Sequence, residues 1–122
     1  MKVLAVDDSE VIRAIIVDTA RMLGYAAEEA ASGEAALHML GNHSSDIGLI
    51  ILDYNLPGMN GLDCLRRIKT TPRWAAIPVL MVTTQSEGDL MVKAIKAGAC
   101  NYLAKPFVME DLATCMLKCL DE

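Results

Sequence analysis

The stretch LIILDYNLPGMNG, which runs from Leu49 to Gly61, decides the fold. Four apolar residues lead directly into the carboxylate of Asp53, and two Asn, a Pro and two Gly follow within eight residues. A strand that is apolar on both faces is typical of the centre of a parallel sheet, where helices cover both sides. The turn after it would leave Asp53 at the carboxyl end of this strand, open to a ligand.

Outside this stretch, the chain alternates strand-like and helix-like segments. Apolar or β-branched runs predict strands over Lys2–Val6, Tyr25–Ala30, Ile47–Leu52, Ile77–Val82 and Asn101–Ala104. Capping residues and helical spacing predict helices from Ser9 to Gly24, from Ser32 to about Leu40 (followed by a polar loop, GNHSSD), over Leu62–Lys69, from Ser86 to Gly98 and over Glu110–Leu120. Five βα units with short connections predict an α/β fold, in which helices cover both faces of a parallel sheet.

Length and composition narrow the class of protein. The chain has 122 residues, of which 53% are hydrophobic and 22% charged, so we expect one globular domain over residues 1–122 with no output domain. The formal net charge of −5 is a poor fit for binding nucleic acid or an anionic membrane. The eleven Lys and Arg mostly fall on predicted helices, where we interpret them as solvated surface. No signal peptide or membrane-spanning run is evident, so we expect a cytoplasmic protein.

The cysteines show no pattern of a metal site or a disulfide framework. The four are Cys64, Cys100, Cys115 and Cys119. They form no CxxC pair and no zinc spacing with the two histidines, His38 and His43. We therefore predict free thiols, since disulfides are rare in cytosolic proteins.

Polar side chains follow four of the five predicted strands. They are Asp7 and Asp8 after the first strand, Asp53 after the third, Thr83 and Thr84 at the fourth and Lys105 after the fifth. In a doubly wound sheet, ligands bind outside the carboxyl ends of the strands, where the strand order reverses. We therefore expect these side chains to form one site.

The three carboxylates of this set predict a bound cation. Two like charges about 4 Å apart repel by about 4 kcal/mol at an effective dielectric of 20. Ligands that are all oxygen atoms favour a hard ion, and Mg²⁺ suits a site with few carboxylates and room for phosphate. A metal, a Lys ammonium and a Thr hydroxyl are what phosphoryl transfer requires, and Asp53 is the most central candidate nucleophile. No glycine-rich nucleotide loop is present, which argues against ATP as the donor.

Four motifs in this order resemble the receiver domain of two-component response regulators. They are VDDS after the first strand, LDYNLPGMNGL after the third, MVTT at the fourth and AGACNYLAKPF around the fifth. The resemblance covers essentially all 122 residues and is closest to the single-domain chemotaxis receivers. It implies a flavodoxin-like, doubly wound (βα)5 fold with the strand order 2-1-3-4-5.

The resemblance also implies a phosphorylation site. Asp53 would accept a phosphoryl group from a phosphohistidine on a sensor histidine kinase. Asp8 and Asp53 would ligate Mg²⁺ directly, and Asp7 would act more through water. The backbone carbonyl of Asn55 would supply a further metal ligand.

Three further positions would form the switch that the resemblance implies. Thr83 and Lys105 would contact phosphoryl oxygens, and a cis peptide before Pro106 would aim the ammonium inward. As Thr83 moves toward the phosphoryl group, Tyr102 would rotate inward and change the surface formed by the fourth helix, fifth strand and fifth helix.

The sequence departs from the chemotaxis receivers near the acceptor. Tyr54 stands where Trp is common, Thr84 is bulkier than the usual small residue, and Gln85 stands where an acidic residue is frequent. Asn55 and Gln85 would border the path of an attacking water, so we expect them to tune the lifetime of the phosphoryl group.

The resemblance implies partners and leaves alternatives open. The expected partners are a histidine kinase, a downstream target such as a flagellar motor switch component, and a phosphatase, with the receiver itself a monomer. The protein would catalyse only its own phosphorylation and dephosphorylation. A pilus-motility or phosphorelay receiver, a Mg²⁺-dependent aspartyl-phosphate phosphatase and a phosphorylation-independent binding module are the alternatives. No second acid lies two residues after Asp53, which argues against the phosphatase.

Overall fold

Five strands alternate with five helices along the chain. The computed structural model describes residues 1–43, 46–84 and 88–121. The strands are β1 (Lys2–Val6), β2 (Ala26–Ala30), β3 (Ile47–Asp53), β4 (Val79–Thr83) and β5 (Asn101–Ala104). The helices are α1 (Glu10–Met22), α2 (Gly33–His43), α3 (Gly61–Thr70), α4 (Gly88–Lys96) and α5 (Met109–Leu120).

The strands form one parallel sheet in the order β2-β1-β3-β4-β5. The order reverses between β1 and β3, so β3 lies in the middle of the sheet, and all of its residues except Gly48 are buried. The register pairs Val6 with Leu52 and Asp53 with Val82. The carboxyl ends of β1, β3 and β4 are therefore level, and the residues that follow them meet at one edge. The predicted fold class and strand order are confirmed.

The core has two layers because successive residues of β3 point to opposite faces of the sheet. Ile50 and Leu52 pack in a layer covered by α2, α3 and α4. Leu49 and Ile51 pack in the other layer, which α1 and α5 cover. Among the described residues, no helix is long and apolar enough to cross a membrane.

Side-chain caps begin two of the helices at the positions that the sequence predicts. The Ser9 hydroxyl accepts a hydrogen bond of 3.3 Å from the Ile12 amide, and the Ser32 hydroxyl accepts one of 3.0 Å from the Ala35 amide. The predicted cap of α4, Ser86, lies outside the described residues.

Two predicted boundaries were wrong. Helix α2 continues to His43, through the first residues of the predicted GNHSSD loop, because backbone hydrogen bonds extend a helix beyond its last apolar residue. Strand β4 begins at Val79 rather than Ile77. The Ile77 amide instead donates to the Trp74 carbonyl, at 3.0 Å, in the turn before the strand.

The prediction of four free thiols was also wrong. Cys100 and Cys119 form a disulfide with a Cα–Cα distance of 5.6 Å, which joins the start of β5 to the last turn of α5. The separation of 19 positions along the chain conceals this contact, because only the packing of α5 against the sheet brings the two side chains together. Cys64 and Cys115 are free.

Candidate functional site

Three carboxylates meet at the carboxyl edge of the sheet. Asp7 and Asp8 follow β1, and Asp53 is the last residue of the neighbouring β3. One carboxylate oxygen from each lies within 4.8 Å of the other two. Asp7 and Asp53 are buried and Asp8 is exposed, so the cluster faces solvent on one side. The structure thus brings together the three acids that the sequence predicts.

Lys105 reaches into the same cluster from the end of β5. Its Nζ lies 2.7 Å from Asp7 Oδ2 and 3.2 Å from Asp53 Oδ1. The peptide between Lys105 and Pro106 is cis, as the resemblance implies. With every group ionised, three carboxylates and one ammonium leave two negative charges uncompensated. One divalent cation would neutralise them.

Burial governs the electrostatics of Asp53. Removal from water raises the pKa of its carboxyl, the Asp7 carboxylate raises it further, and Lys105 and a hydrogen bond from the Asn55 backbone oppose the rise. Burial alone would lower the pKa of Lys105, but Asp7 and Asp53 outweigh it and hold the pKa above its ordinary value. The ammonium therefore stays charged beside a carboxylate that is costly to ionise without a further cation.

The residues present fit a magnesium ion. Asp53 Oδ1 is buried and has no hydrogen bond of good geometry, although the Lys105 ammonium is 3.2 Å away. A buried carboxylate oxygen without a partner is costly unless a cation or donor reaches it. Asp7, Asp8 and Asp53 offer only oxygen atoms, which are the ligands of a hard cation.

A residue that the sequence analysis missed holds Asp7 in place. Arg13 on α1 donates a 2.8 Å hydrogen bond to the Asp7 carbonyl and a 3.0 Å hydrogen bond to Glu29 on β2. The Ser9 amide donates to Asp7 Oδ1 at 2.9 Å. We had interpreted Arg13 as part of a solvated helix face. Arg13 lies four residues after the Ser9 cap, so the sequence could have placed it near the end of β1. Its contact with Glu29 on β2 depends on the pairing of the strands and could not be predicted.

The loop after β3 folds tightly against Asp53 because residue 61 is glycine. The Gly61 amide donates a 2.8 Å hydrogen bond to the Tyr54 carbonyl. A Cβ on Gly61 would collide with the Asp53 carbonyl oxygen and would lie 2.6 Å from the Tyr54 Cα. The backbone around the central carboxylate is therefore fixed by close packing as well as by strand pairing.

The remaining predicted site residues lie around this centre. Thr83, the last residue of β4, is fully buried, and its side chain is hydrogen-bonded to Tyr102. Burial raises the pKa of Tyr102, and this hydrogen bond opposes the rise. Asn55 is exposed, and its Nδ2 donates to Thr84 Oγ1 at 2.9 Å across the opening of the site. Gln85 lies outside the described residues.

Comparisons with known proteins agree with this geometry. The family model of the response regulator receiver domain matches residues 3–116. The chain belongs to the response regulator receiver family. Receiver domains bind Mg²⁺ at a cluster of aspartates, and this receiver has such a cluster in Asp7, Asp8 and Asp53.

Individual relatives place this receiver near the chemotaxis proteins. It is 41% identical to the chemotaxis protein CheY of Pseudomonas aeruginosa over 113 residues, which cover 92% of this chain and 90% of the relative. It is 40% identical to CheY1 of Helicobacter pylori strain 26695, with the same coverage of both chains. It is therefore consistent with a role in two-component signalling and chemotaxis.

Solved structures of chemotaxis receivers superpose closely on this chain. CheY4 of Vibrio cholerae superposes with a TM-score of 0.90 at 34% identity, covering 98% of both chains. CheY in a CheX–CheY–BeF3–Mg²⁺ complex from Borrelia burgdorferi superposes with a TM-score of 0.90 at 25% identity, covering 96% of this chain and 87% of that one.

Proposed function

We propose that the protein is a chemotaxis-type response regulator that is switched by phosphorylation of Asp53. The observation that carries the proposal is the buried Asp53 Oδ1, which lies 3.2 Å from the Lys105 ammonium and lacks a well-formed hydrogen bond. A carboxylate held rigidly beside a fixed cation, with one oxygen that lacks a well-formed hydrogen bond, is prepared to attack a phosphoryl group.

The residues of the site would divide the work of phosphoryl transfer. The phosphorus–oxygen bond to Asp53 forms as the phosphorus–nitrogen bond of a phosphohistidine donor breaks, and the donor imidazole keeps that electron pair. Lys105 and Thr83 would contact phosphoryl oxygens. Asp7, Asp8, Asp53 and the Asn55 carbonyl would hold Mg²⁺, which when bound neutralises the charge of carboxylate and phosphoryl oxygens.

The switch would begin at the hydrogen bond between Thr83 and Tyr102. A phosphoryl group on Asp53 would draw the Thr83 hydroxyl toward it and change the packing of Tyr102 in β5. The neighbouring helix α4 exposes three large apolar side chains, Met91, Val92 and Ile95, at 43%, 50% and 47%. A local charge change would thus reach an apolar surface that suits a downstream protein.

The lifetime of the phosphoryl group would depend on the opening of the site. Asn55 is hydrogen-bonded to Thr84, and from there its side chain would border the path of an attacking water. We propose Asn55 and Gln85 as the residues that tune dephosphorylation. The proposed partners are a sensor histidine kinase, a motor-switch or other motility target and a phosphatase, with the protein acting in the cytoplasm.

Phosphorylation by a small donor tests the proposal. With Mg²⁺ and acetyl phosphate, we expect the intact mass of the wild type to increase by one phosphoryl group and that of Asp53→Asn to stay unchanged. Asp18→Asn removes an exposed carboxylate on α1, away from the site, and should behave as the wild type. Equal labelling of wild type and Asp53→Asn, or no labelling by acetyl phosphate or by a cognate kinase, would contradict the proposal.

A further inference from the structure

We infer that a basic cleft between α3 and α4 binds a small anion that carries two or more phosphoryl groups. The basic cleft is a cavity of about 340 Å³ lined by Arg66, Lys69, Thr70, Lys93, Lys96 and Ala97. These residues lie toward the carboxyl ends of both helices. In βα units the helices run back along the sheet, so the cleft lies toward the edge opposite Asp53 and is separate from the acidic site.

Helical spacing directs four cations into this cleft. Arg66 and Lys69 are three residues apart on α3, and Lys93 and Lys96 are three apart on α4, so each pair shares a face. The whole chain has eleven Lys and Arg and a net charge of −5. Four of its cations around one cavity are therefore a local reversal of the protein's charge.

Three of these cations, Arg66, Lys93 and Lys96, have little compensation from carboxylates in the described part of the chain. Arg66 approaches the Asp63 carboxylate at 3.9 Å, and both side chains are exposed. Among the described residues, no carboxylate pairs with Lys93 or Lys96. An exposed pair at that distance contributes little, so the positive charge remains available to a ligand.

Lys69 lines the cleft, and its ammonium binds two backbone carbonyls. Its Nζ donates to the Ala75 carbonyl at 3.0 Å and to the Ile77 carbonyl at 2.6 Å. Its aliphatic stem lies against Gly98, where a Cβ would come within 2.9 Å of the Lys69 Cγ. Burial lowers the pKa of Lys69. Two backbone carbonyls therefore hold the Lys69 ammonium, and the cations left for an anion in the cleft are those of Arg66, Lys93 and Lys96.

Neutralisation of helix dipoles does not account for the arrangement. Each helix carboxyl end carries roughly half a negative charge. Helices α1 and α5 each have one basic residue in the last turn, Arg21 and Lys118 respectively. The two helix ends at the cleft share four lining cations, which is more than their dipoles require.

The shape of the cleft favours a small phosphorylated molecule over a protein segment. Its volume lies at the lower end of the roughly 300–1,000 Å³ that is usual for small-molecule sites. Five of the six described lining residues carry a charged or polar head group, while the aliphatic stems of the basic side chains and Ala97 supply most of the lining surface. Guanidinium and ammonium groups are the usual ligands of phosphate oxygens.

Titration with inorganic tripolyphosphate tests the inference. The protein is treated with chelator and kept free of Mg²⁺, so that the acidic site repels the probe, and the salt is about 0.15 M, where charges more than about 8 Å apart are screened. We expect saturable binding by calorimetry, with amide chemical shifts confined to residues 66–70 and 93–97.

Paired charge variants separate a specific site from general attraction. We expect Lys93→Gln/Lys96→Gln to bind tripolyphosphate about tenfold more weakly, because two cation–phosphate contacts are lost. Arg21→Gln/Lys118→Gln removes the same charge from the last turns of α1 and α5, and its affinity should stay within about twofold of wild type. Circular dichroism checks that both variants are folded.

Three results would overturn the inference. Equal weakening in both double variants would show that the binding follows net charge alone. Tighter binding of a polyglutamate peptide at the same residues would assign the cleft to an acidic protein segment. Absence of saturable tripolyphosphate binding would show that the basic cleft is not an anion site. Asp53→Asn should bind the probe as the wild type does, so the outcome does not depend on the proposed phosphorylation.

Discussion

At the scale of single residues, the acidic site depends on tightly packed contacts around Asp53 and Asp7. Asp53 pairs with Val82 on β4, the preceding Leu52 pairs with Val6 on β1, and Gly61 lies against the Asp53 backbone. Arg13 fixes the carbonyl of Asp7, whose side chain binds Lys105. A small change in any of these side chains would therefore move a carboxylate of the cluster.

Gly61→Ala should lower the free energy of unfolding by about 1–3 kcal/mol, because the added methyl group needs space that the backbone of Asp53 and Tyr54 occupies. Phosphorylation by acetyl phosphate should also slow. Gly41→Ala is the matched control, since nothing lies within 4 Å of a Cβ there, and it should be neutral or stabilising by up to about 1 kcal/mol. Urea unfolding measures both variants, and equal effects would contradict the close approach at Gly61.

At the scale of secondary-structure elements, the Cys100–Cys119 disulfide joins β5 to α5. These elements adjoin the surface that the proposed switch would change, and Tyr102 lies two residues after Cys100 in the chain. The bond therefore restrains one end of that surface independently of Asp53.

Reduction of this disulfide should lower the free energy of unfolding by about 3 kcal/mol, the chain-entropy value for a loop closed over 19 residues. Cys100→Ser should abolish the effect of the reductant, whereas Cys115→Ser, which changes a free thiol on the same helix, should preserve it. Denaturant curves with and without reductant measure this. Alkylation of four cysteines in unreduced, unfolded protein would contradict the pairing.

At the scale of the whole molecule, the acidic cluster links metal binding to the stability of the domain. Three carboxylates within 4.8 Å disfavour the metal-free fold, and a cation that binds only the folded state stabilises it by mass action. The free energy of unfolding of the whole domain therefore reports whether the acidic cluster binds a cation.

Asp8→Ala should raise the metal-free stability by up to about 1 kcal/mol, because an exposed like charge is removed. It should also abolish the stabilisation by Mg²⁺, which in the wild type should reach about 2.7 kcal/mol at a hundred times the dissociation constant. Asp18→Ala should keep the full Mg²⁺ response. Thermal unfolding with and without Mg²⁺ decides this, and an unchanged response in Asp8→Ala would contradict its assignment as a ligand.

Sequence alone determined the alternation of elements and the identity of the acidic edge. The fully apolar run of β3 and the caps Ser9 and Ser32 are local features that the structure confirms. Asp7, Asp53 and Lys105, which also follow from local strand ends, lie together in the structure. Their signal is local because burial, capping and strand ends each depend on residues that are near in the chain.

Only the tertiary structure decided which distant side chains meet. The pairing of Arg13 with Glu29, the Cys100–Cys119 bond and the basic cleft all join elements that no spacing in the chain relates. The end of α2 also escaped prediction, since its last three residues have no large apolar side chain to extend the pattern. Periodicity shows which face of an element is buried, but the contacts between elements follow from the sheet order and from the packing of each helix on the sheet.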